Sequence, residues 1–130
     1  MTRRTPHPPC PTAEDAYADA PPLLGEIAWI ADQVTAKPLG QSLPREFTLR
    51  KLAVLDRIAL HCNDPESHAH TAQEAAQLMD ADSDHTHPDA PNTASLGRYP
   101  AGHPAWEHWG PLGYLRQEYQ AYRRQLADAA

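Results

Sequence analysis

Apolar residues recur at helical spacing along several stretches of the chain, and the first of these is predicted to have Pro22 as its first helical residue. Its apolar positions step by three and four residues and are Leu24, Ile27, Ala31 and Val34, with Leu23 and Ile30 beside them. This spacing predicts a helix whose apolar stripe faces the protein core. Pro38 and Gly40 are predicted to end it.

The second stretch, residues 45–62, carries the broadest apolar arc in the chain. Its members are Phe47, Leu49, Leu52, Val54, Leu55, Ile58, Ala59, Leu60 and Cys62. An arc this broad predicts a central helix that contacts neighbours on more than one side. Ser42 is its predicted N-cap, and Glu46 precedes Arg50 by four residues, the favourable order for an ion pair within a helix.

The third stretch is rich in alanine and has a strong start signal. Asp64 suits the N-cap and Pro65 the first helical position, while Thr71 and Glu74 form a second possible capping box. Alanine side chains bury little area each, so this helix is predicted to dock less firmly than the others.

The last stretch is divided in two by Gly110 and Pro111. Pro104 is predicted to open a short helical turn that carries Trp106 and Trp109. After the break, the apolar positions again step by three and four residues: Leu112, Leu115, Tyr119, Tyr122 and Leu126. This seam predicts a helix packed against an antiparallel neighbour.

The remaining segments have no apolar stripe. Residues 1–20 are rich in proline and predict a disordered tail, in which Thr12 caps at most a short helical turn. Residues 80–103 predict a long loop of Asp, His and Pro. Because no stretch alternates with period two, the fold is predicted to be all-α, a three- to four-helix bundle forming one domain over residues 21–130.

Composition narrows the classes of partner. Acidic residues outnumber basic ones by 17 to 11, and the resulting net charge of −6 argues against nucleic acid as a partner. A nucleic-acid accessory role is kept as a third alternative for the basic side chains of the second helix, which are Arg45, Arg50, Lys51 and Arg57. No run of about 18 apolar residues predicts a membrane span. Two cysteines, Cys10 and Cys62, and an N-terminus without an apolar signal segment favour a cytoplasmic location.

Two segments resemble a group of known proteins. The stretches LRKLAVLDRIAL, residues 49–60, and GYLRQEYQAYRR, residues 113–124, are similar to small uncharacterised helical proteins of high-GC actinobacteria. The resemblance implies a helical fold and a cytosolic bacterial origin. It implies no activity, cofactor or functional residue.

Residues 61–92 are rich in potential metal ligands. They contain five of the eight histidines and seven acidic residues, with no Lys or Arg. The candidate zinc or nickel ligands are His68, His70, His85 and His87. Two stricter metal-binding motifs do not match. A calcium loop starting at Asp80 requires Gly where the chain has His85 and Glu where it has Pro91. A metallo-hydrolase loop of the HxHxD type requires His where the chain has Ala90. A solvated acidic loop is the simpler interpretation, so we expect no cofactor and keep zinc as the alternative.

Catalytic motifs are missing from the sequence. No Glu-x-x-His, HExxH, GxSxG, P-loop or GxGxxG pattern occurs. His61 and Cys62 diverge by about 100° on a helix, so they do not form a catalytic dyad by themselves. The sequence therefore favours a non-enzymatic accessory or protein-interaction module, with a metal-binding protein as the alternative.

Aromatic and arginine side chains cluster around the last helix, and residues of these types anchor protein interfaces. We predict a partner or self-association surface there, formed by Trp106, Tyr114, Arg116 and Arg123. The other large aromatics of the region are predicted to fill the core: Trp109, Tyr119 and Tyr122.

Overall fold

The computed structural model describes residues 11–41, 43–83 and 95–129. Within these ranges the chain is all-helical and contains no strand, as predicted. The five helices described are α1 (Ala13–Ala16), α2 (Leu23–Ala36), α3 (Arg45–Cys62), α4 (Pro65–Asp82) and α5 (Trp106–Ala129). None of them is both long enough and apolar enough to span a membrane.

Helices α3, α4 and α5 pack against one another around a common core. The core side chains include Leu49, Leu52, Ala53, Ala75, Leu78, Trp106, Tyr114, Leu115, Tyr119 and Tyr122. Helix α3 contacts α2, α4 and α5, which confirms its predicted central position. Of the helices that the structure describes, α2 packs on α3 alone and α1 on α5 alone, so both lie at the periphery.

The helix boundaries follow local signals. Helix α4 begins as predicted, with the Asp64 carboxylate accepting a hydrogen bond from the backbone N–H of Ser67, 3.3 Å away, and Pro65 in the first turn. Thr71 does not start a second helix, because its hydroxyl donates to the Ser67 carbonyl inside a continuous helix. The prediction that Ser42 caps α3 is wrong, because the helix begins at Arg45 with Pro44 at the N-cap and no side-chain cap hydrogen bond.

Helix α5 is interrupted where the sequence predicts a break. Gly110 has φ 78° and ψ 176°, a backbone conformation that is essentially restricted to glycine. Of the seam that follows, Leu115, Tyr119 and Tyr122 are buried, whereas Leu126 near the C-terminal end is 43% exposed.

The prediction that residues 1–20 form a disordered tail is wrong for residues 11–20. Thr12 caps the short helix α1 as predicted, but α1 is not part of a disordered tail, since it packs on α5 with Ala16 buried. The Tyr17 hydroxyl donates to the Asp56 carboxylate over 2.6 Å, so a buried acidic group on α3 gives this segment a polar anchor. Residues 1–10 lie outside the described residues.

The predicted loop over residues 80–103 begins later than expected, whereas its described second part, residues 95–103, contains no helix or strand, as predicted. Helix α4 continues to Asp82, and residues 95–103 are fixed by hydrogen bonds to α5. Gly97 approaches α5 so closely that an added Cβ would lie 2.3 Å from Nε2 of Gln117. Residues 84–94 lie outside the described part of the chain.

The predicted orientation of α2 is wrong. Its supposed core stripe faces outward, with Leu24 81% and Val34 55% exposed, while Glu26 is buried. The inner face is fixed by a salt bridge of 2.6 Å between Glu26 and Arg50. The Arg50 guanidinium also lies 3.5 Å over the Trp29 ring. These contacts orient the helix and leave Leu24, Ile27 and Val34 exposed, while Leu23 and Ile30 are partly buried.

Candidate functional site

The partner surface predicted on α5 is not formed, because its aromatic residues are in the core. Trp106 and Tyr114 are buried and pack edge to face, with ring centroids 5.4 Å apart. The Trp106 indole donates to the Pro100 carbonyl over 2.9 Å. Trp109, predicted to be a core residue, is instead 38% exposed, while Tyr119 and Tyr122 are buried as predicted.

The two arginines of the predicted surface bond to the protein itself. Arg116 donates to both oxygens of Asp56 over 2.8 and 3.0 Å. Arg123 donates to the Asp19 carbonyl over 3.1 Å. Both arginines therefore attach α5 to the N-terminal part of the fold or to α3.

Three buried networks, each joining a tyrosine, a carboxylate and an arginine, account for most of the interior charge. In the first, the Asp56 carboxylate accepts hydrogen bonds from Tyr17 and from Arg116 and is fully buried. Burial, reinforced by the Asp56 charge, raises the pKa of the Tyr17 phenol far above its ordinary value. This network ties α3 to α5 and to the residue that follows α1.

The second network joins three helices at Arg45. Its guanidinium donates to Asp82 on α4 over 2.7 Å and to Glu118 on α5 over 2.8 Å. The Tyr114 hydroxyl donates to Asp82 over 2.6 Å. Burial is the main cause of the raised pKa of Tyr114, and the bond to Asp82 adds to it.

Glu118 also anchors the segment that precedes α5. Its carboxylate accepts hydrogen bonds from the backbone N–H groups of Leu96 and Gly97 over 2.6 and 2.7 Å. Since Glu118 is fully buried, these bonds satisfy a charge that would otherwise be costly in the interior.

The third network attaches α2. Arg50 donates to both oxygens of Glu26 and lies 3.6 Å from Glu46, the ion pair predicted from their spacing. The Tyr122 hydroxyl donates to Glu46 over 2.5 Å. Burial raises the pKa of Tyr122 to about 12.

Sequence reasoning missed these buried carboxylates, although a local signal marks three of them. Asp56, Glu118 and Glu26 each have apolar residues at the three- and four-residue helical spacings around them. An acidic residue at such a position lies in the apolar arc and needs a cationic partner from another element. The identity of that partner depends on packing and is not encoded locally.

The basic side chains of α3 are largely engaged within the fold. Arg45 and Arg50 bond to buried carboxylates, Lys51 lies 3.8 Å from Glu74, and Arg57 donates to the Pro21 carbonyl. Phosphate binding through this helix would have to compete with these contacts.

The described part of the chain contains no group of three or more His, Cys, Asp or Glu residues placed to hold a metal ion. His70 is 63% exposed at its side chain and lies 2.6 Å from Glu74, one turn along α4. His68 lies on the same helix. His85 and His87 are outside the described residues, so zinc or nickel binding by this set stays a prediction.

A groove of about 1160 Å³ lies between α1, residues 96–99 and the second half of α5. Its walls carry three arginines, Arg98, Arg123 and Arg124, and three aspartates, Asp15, Asp19 and Asp128. Because these formal charges cancel, the groove does not favour a ligand of either sign.

The outward face of α2 is the surface with the clearest binding character. We define the α2 stripe as Leu24, Ile27, Ala31 and Val34; all four are exposed, with Leu24 at 81%. The spacing of three, four and three residues places them on one side of the helix. Asp32 is the one exposed charged residue within α2, since Glu26 is buried. An apolar, nearly uncharged helix face of this kind is suited to protein contact.

No protein-family model, curated protein or solved structure matches the chain. The resemblance of residues 49–60 and 113–124 to helical proteins of actinobacteria, and the bacterial origin it implies, therefore stay predictions.

Proposed function

We propose that this chain is a cytoplasmic, non-enzymatic interaction module that binds another protein through the α2 stripe. The observation that carries the proposal is the exposure of four apolar residues on one side of a helix. Single exposed apolar residues are common on protein surfaces, but a row at helical spacing is typical of a contact face. The exposed free thiol of Cys62 fits a reducing compartment.

The free energy available from covering the stripe supports this proposal. Full burial of a leucine or valine side chain stabilises a protein by about 1.5–3 kcal/mol. With Leu24 81% and Val34 55% exposed, most of that free energy is unrealised in the single chain. A complex in which a partner covers Leu24 and Val34 would be stabilised by this free energy.

The way α2 is held to the rest of the fold also supports a binding role. Its contacts to α3 include the Glu26–Arg50 salt bridge and the packing of Trp29 against Arg50. The α2 stripe takes no part in these polar and aromatic contacts. A role in binding another protein accounts for the exposed apolar side chains of the stripe.

The state of the buried ionisable groups favours binding over catalysis. Asp56, Asp82 and Glu118 each accept hydrogen bonds from an arginine and from at least one further donor. Groups that are fully bonded and buried hold the fold together and are poorly placed to reach a substrate.

Site-specific photo-cross-linking in the source cells tests the proposal. The photoactivatable residue p-benzoylphenylalanine is placed at Ala28, which is exposed on α2, and in a matched control at Gln73, which is exposed on α4. We expect a discrete cross-linked product from Ala28 that is lost when Leu24→Asp is added, and none from Gln73. Equal products from both positions, or none from Ala28, would contradict the proposal.

A further inference from the structure

We infer that the protein bound to the α2 stripe is a second copy of this chain, with the two α2 helices antiparallel about a two-fold axis level with residue 29. This inference rests on the proposed function and names its partner. It depends on the size pattern of the stripe, the distribution of charge and the extent of the surface.

The stripe is complementary to itself in size. Leu24 and Val34 lie five residues on either side of position 29, and Ile27 and Ala31 lie two residues on either side. A two-fold axis at that level therefore sets Leu24 of one copy against Val34 of the other, and Ile27 against Ala31. Each contact pairs a larger side chain with a smaller one, and both pairs occur twice, as an isologous interface requires.

The charge distribution favours a second copy approaching through this face. The chain has a net charge of −6, so two copies repel each other where their acidic surfaces meet. On α2 the exposed face carries one charge, Asp32. In the proposed pairing the two Asp32 residues are six positions apart along the axis, about 9 Å, which is close to the screening length at physiological salt.

The extent of the surface sets the strength of the pairing. The stripe from Leu24 to Val34 covers ten residue steps, about 15 Å of helix. A contact of this length buries less than the roughly 1,600 Å² of a standard stable interface, so we expect a reversible dimer.

Sedimentation velocity of the full chain from about 10 µM to 1 mM tests the inference. We expect a concentration-dependent shift from the 14.4 kDa monomer towards twice that mass. Leu24→Asp should raise the dissociation constant at least about tenfold, because it places a charge in the contact. The matched control Leu126→Asp, at a residue 43% exposed on α5, should leave it unchanged. Circular dichroism should show both variants folded, since both side chains are exposed.

Charge pairing between two variants tests the register. Leu24→Lys and Val34→Glu are each expected to be monomeric alone and to form a mixed dimer when combined, because the two positions face each other in the proposed pairing. Leu24→Lys mixed with Ile27→Glu should stay monomeric. The antiparallel arrangement would be overturned if Leu24→Lys formed a mixed dimer with Ile27→Glu but not with Val34→Glu.

The outcomes separate this inference from the proposed function. A parent chain that stays monomeric at 1 mM overturns the second copy as partner, as does equal weakening by Leu24→Asp and Leu126→Asp. If the Ala28 cross-link then contains a different protein, the interaction module stands and only its partner changes. If both experiments fail, both proposals fall.

Discussion

At the scale of single residues, the fold depends on buried charges that are paired across helices. Asp56 and Glu118 are fully buried, and each is bonded to an arginine from another helix. Removing one partner of a buried pair leaves the other charge without solvent or counter-ion. Removing both partners leaves no uncompensated charge in the interior.

The Arg116–Asp56 pair gives the clearest test of this dependence. Arg116→Met leaves the Asp56 carboxylate with the Tyr17 hydroxyl as its remaining side-chain donor. We expect a loss of about 3–5 kcal/mol in the free energy of unfolding, measured by urea denaturation. The double variant Arg116→Met with Asp56→Asn should recover a large part of that loss.

Arg124→Met provides the matched control for that experiment. Arg124 lies on the same helix but is exposed, so its substitution should change the free energy of unfolding by less than about 0.5 kcal/mol. Equal effects at residues 116 and 124 would show that the buried pair has no special role.

At the scale of helices, local signals predict where α4 begins and where α5 is broken, but they do not predict which face of α2 is buried. The start of α4 at Asp64 and Pro65 and the break at Gly110 follow from the backbone chemistry of those residues, which acts locally. The face of α2 depends on Arg50, 24 residues away from Glu26, and a hydrophobic pattern carries no information about that pairing. The interaction surface was therefore predicted on α5, although the exposed apolar stripe lies on α2.

Alanine substitution of two glycines that lie within helices should change the stability of the protein in opposite directions. Gly110 has φ 78°, so Gly110→Ala is expected to cost about 1–3 kcal/mol of stability from backbone strain. Gly25 is inside α2 with no other atom near its missing Cβ, so Gly25→Ala should stabilise by about 0.5–1 kcal/mol. Thermal unfolding followed by circular dichroism measures both, and a stabilising Gly110→Ala would contradict the kink described for α5.

At the scale of the whole molecule, the tyrosines make the fold sensitive to alkali. Burial raises the pKa of four phenols, those of Tyr17, Tyr114, Tyr119 and Tyr122. In the unfolded chain a phenol loses its proton near pH 10. The folded state therefore binds more protons than the unfolded state at alkaline pH, and stability falls as pH rises.

The expected window is set by Tyr122, whose pKa burial raises to about 12. Its contribution to stability should be fully present below about pH 10 and lost as pH rises through about 12. Tyrosinate absorbance at 295 nm and circular dichroism should change together across this range. Tyr122→Phe should make the decline of stability with pH less steep, and an unchanged slope would contradict the assignment.

Arg45 constrains the order of events by which the chain reaches its native state. It bonds to Asp82 and to Glu118, which lies 73 residues further along the chain. An intermediate in which α4 and α5 had met without the first turn of α3 would hold two carboxylates close together with no cation between them, which is unfavourable away from water. A pair of α4 and α5 formed before α3 has docked is therefore disfavoured. Folding is expected to proceed in one cooperative step that depends on a contact of long sequence separation, and an α4–α5 pair without α3 should not accumulate.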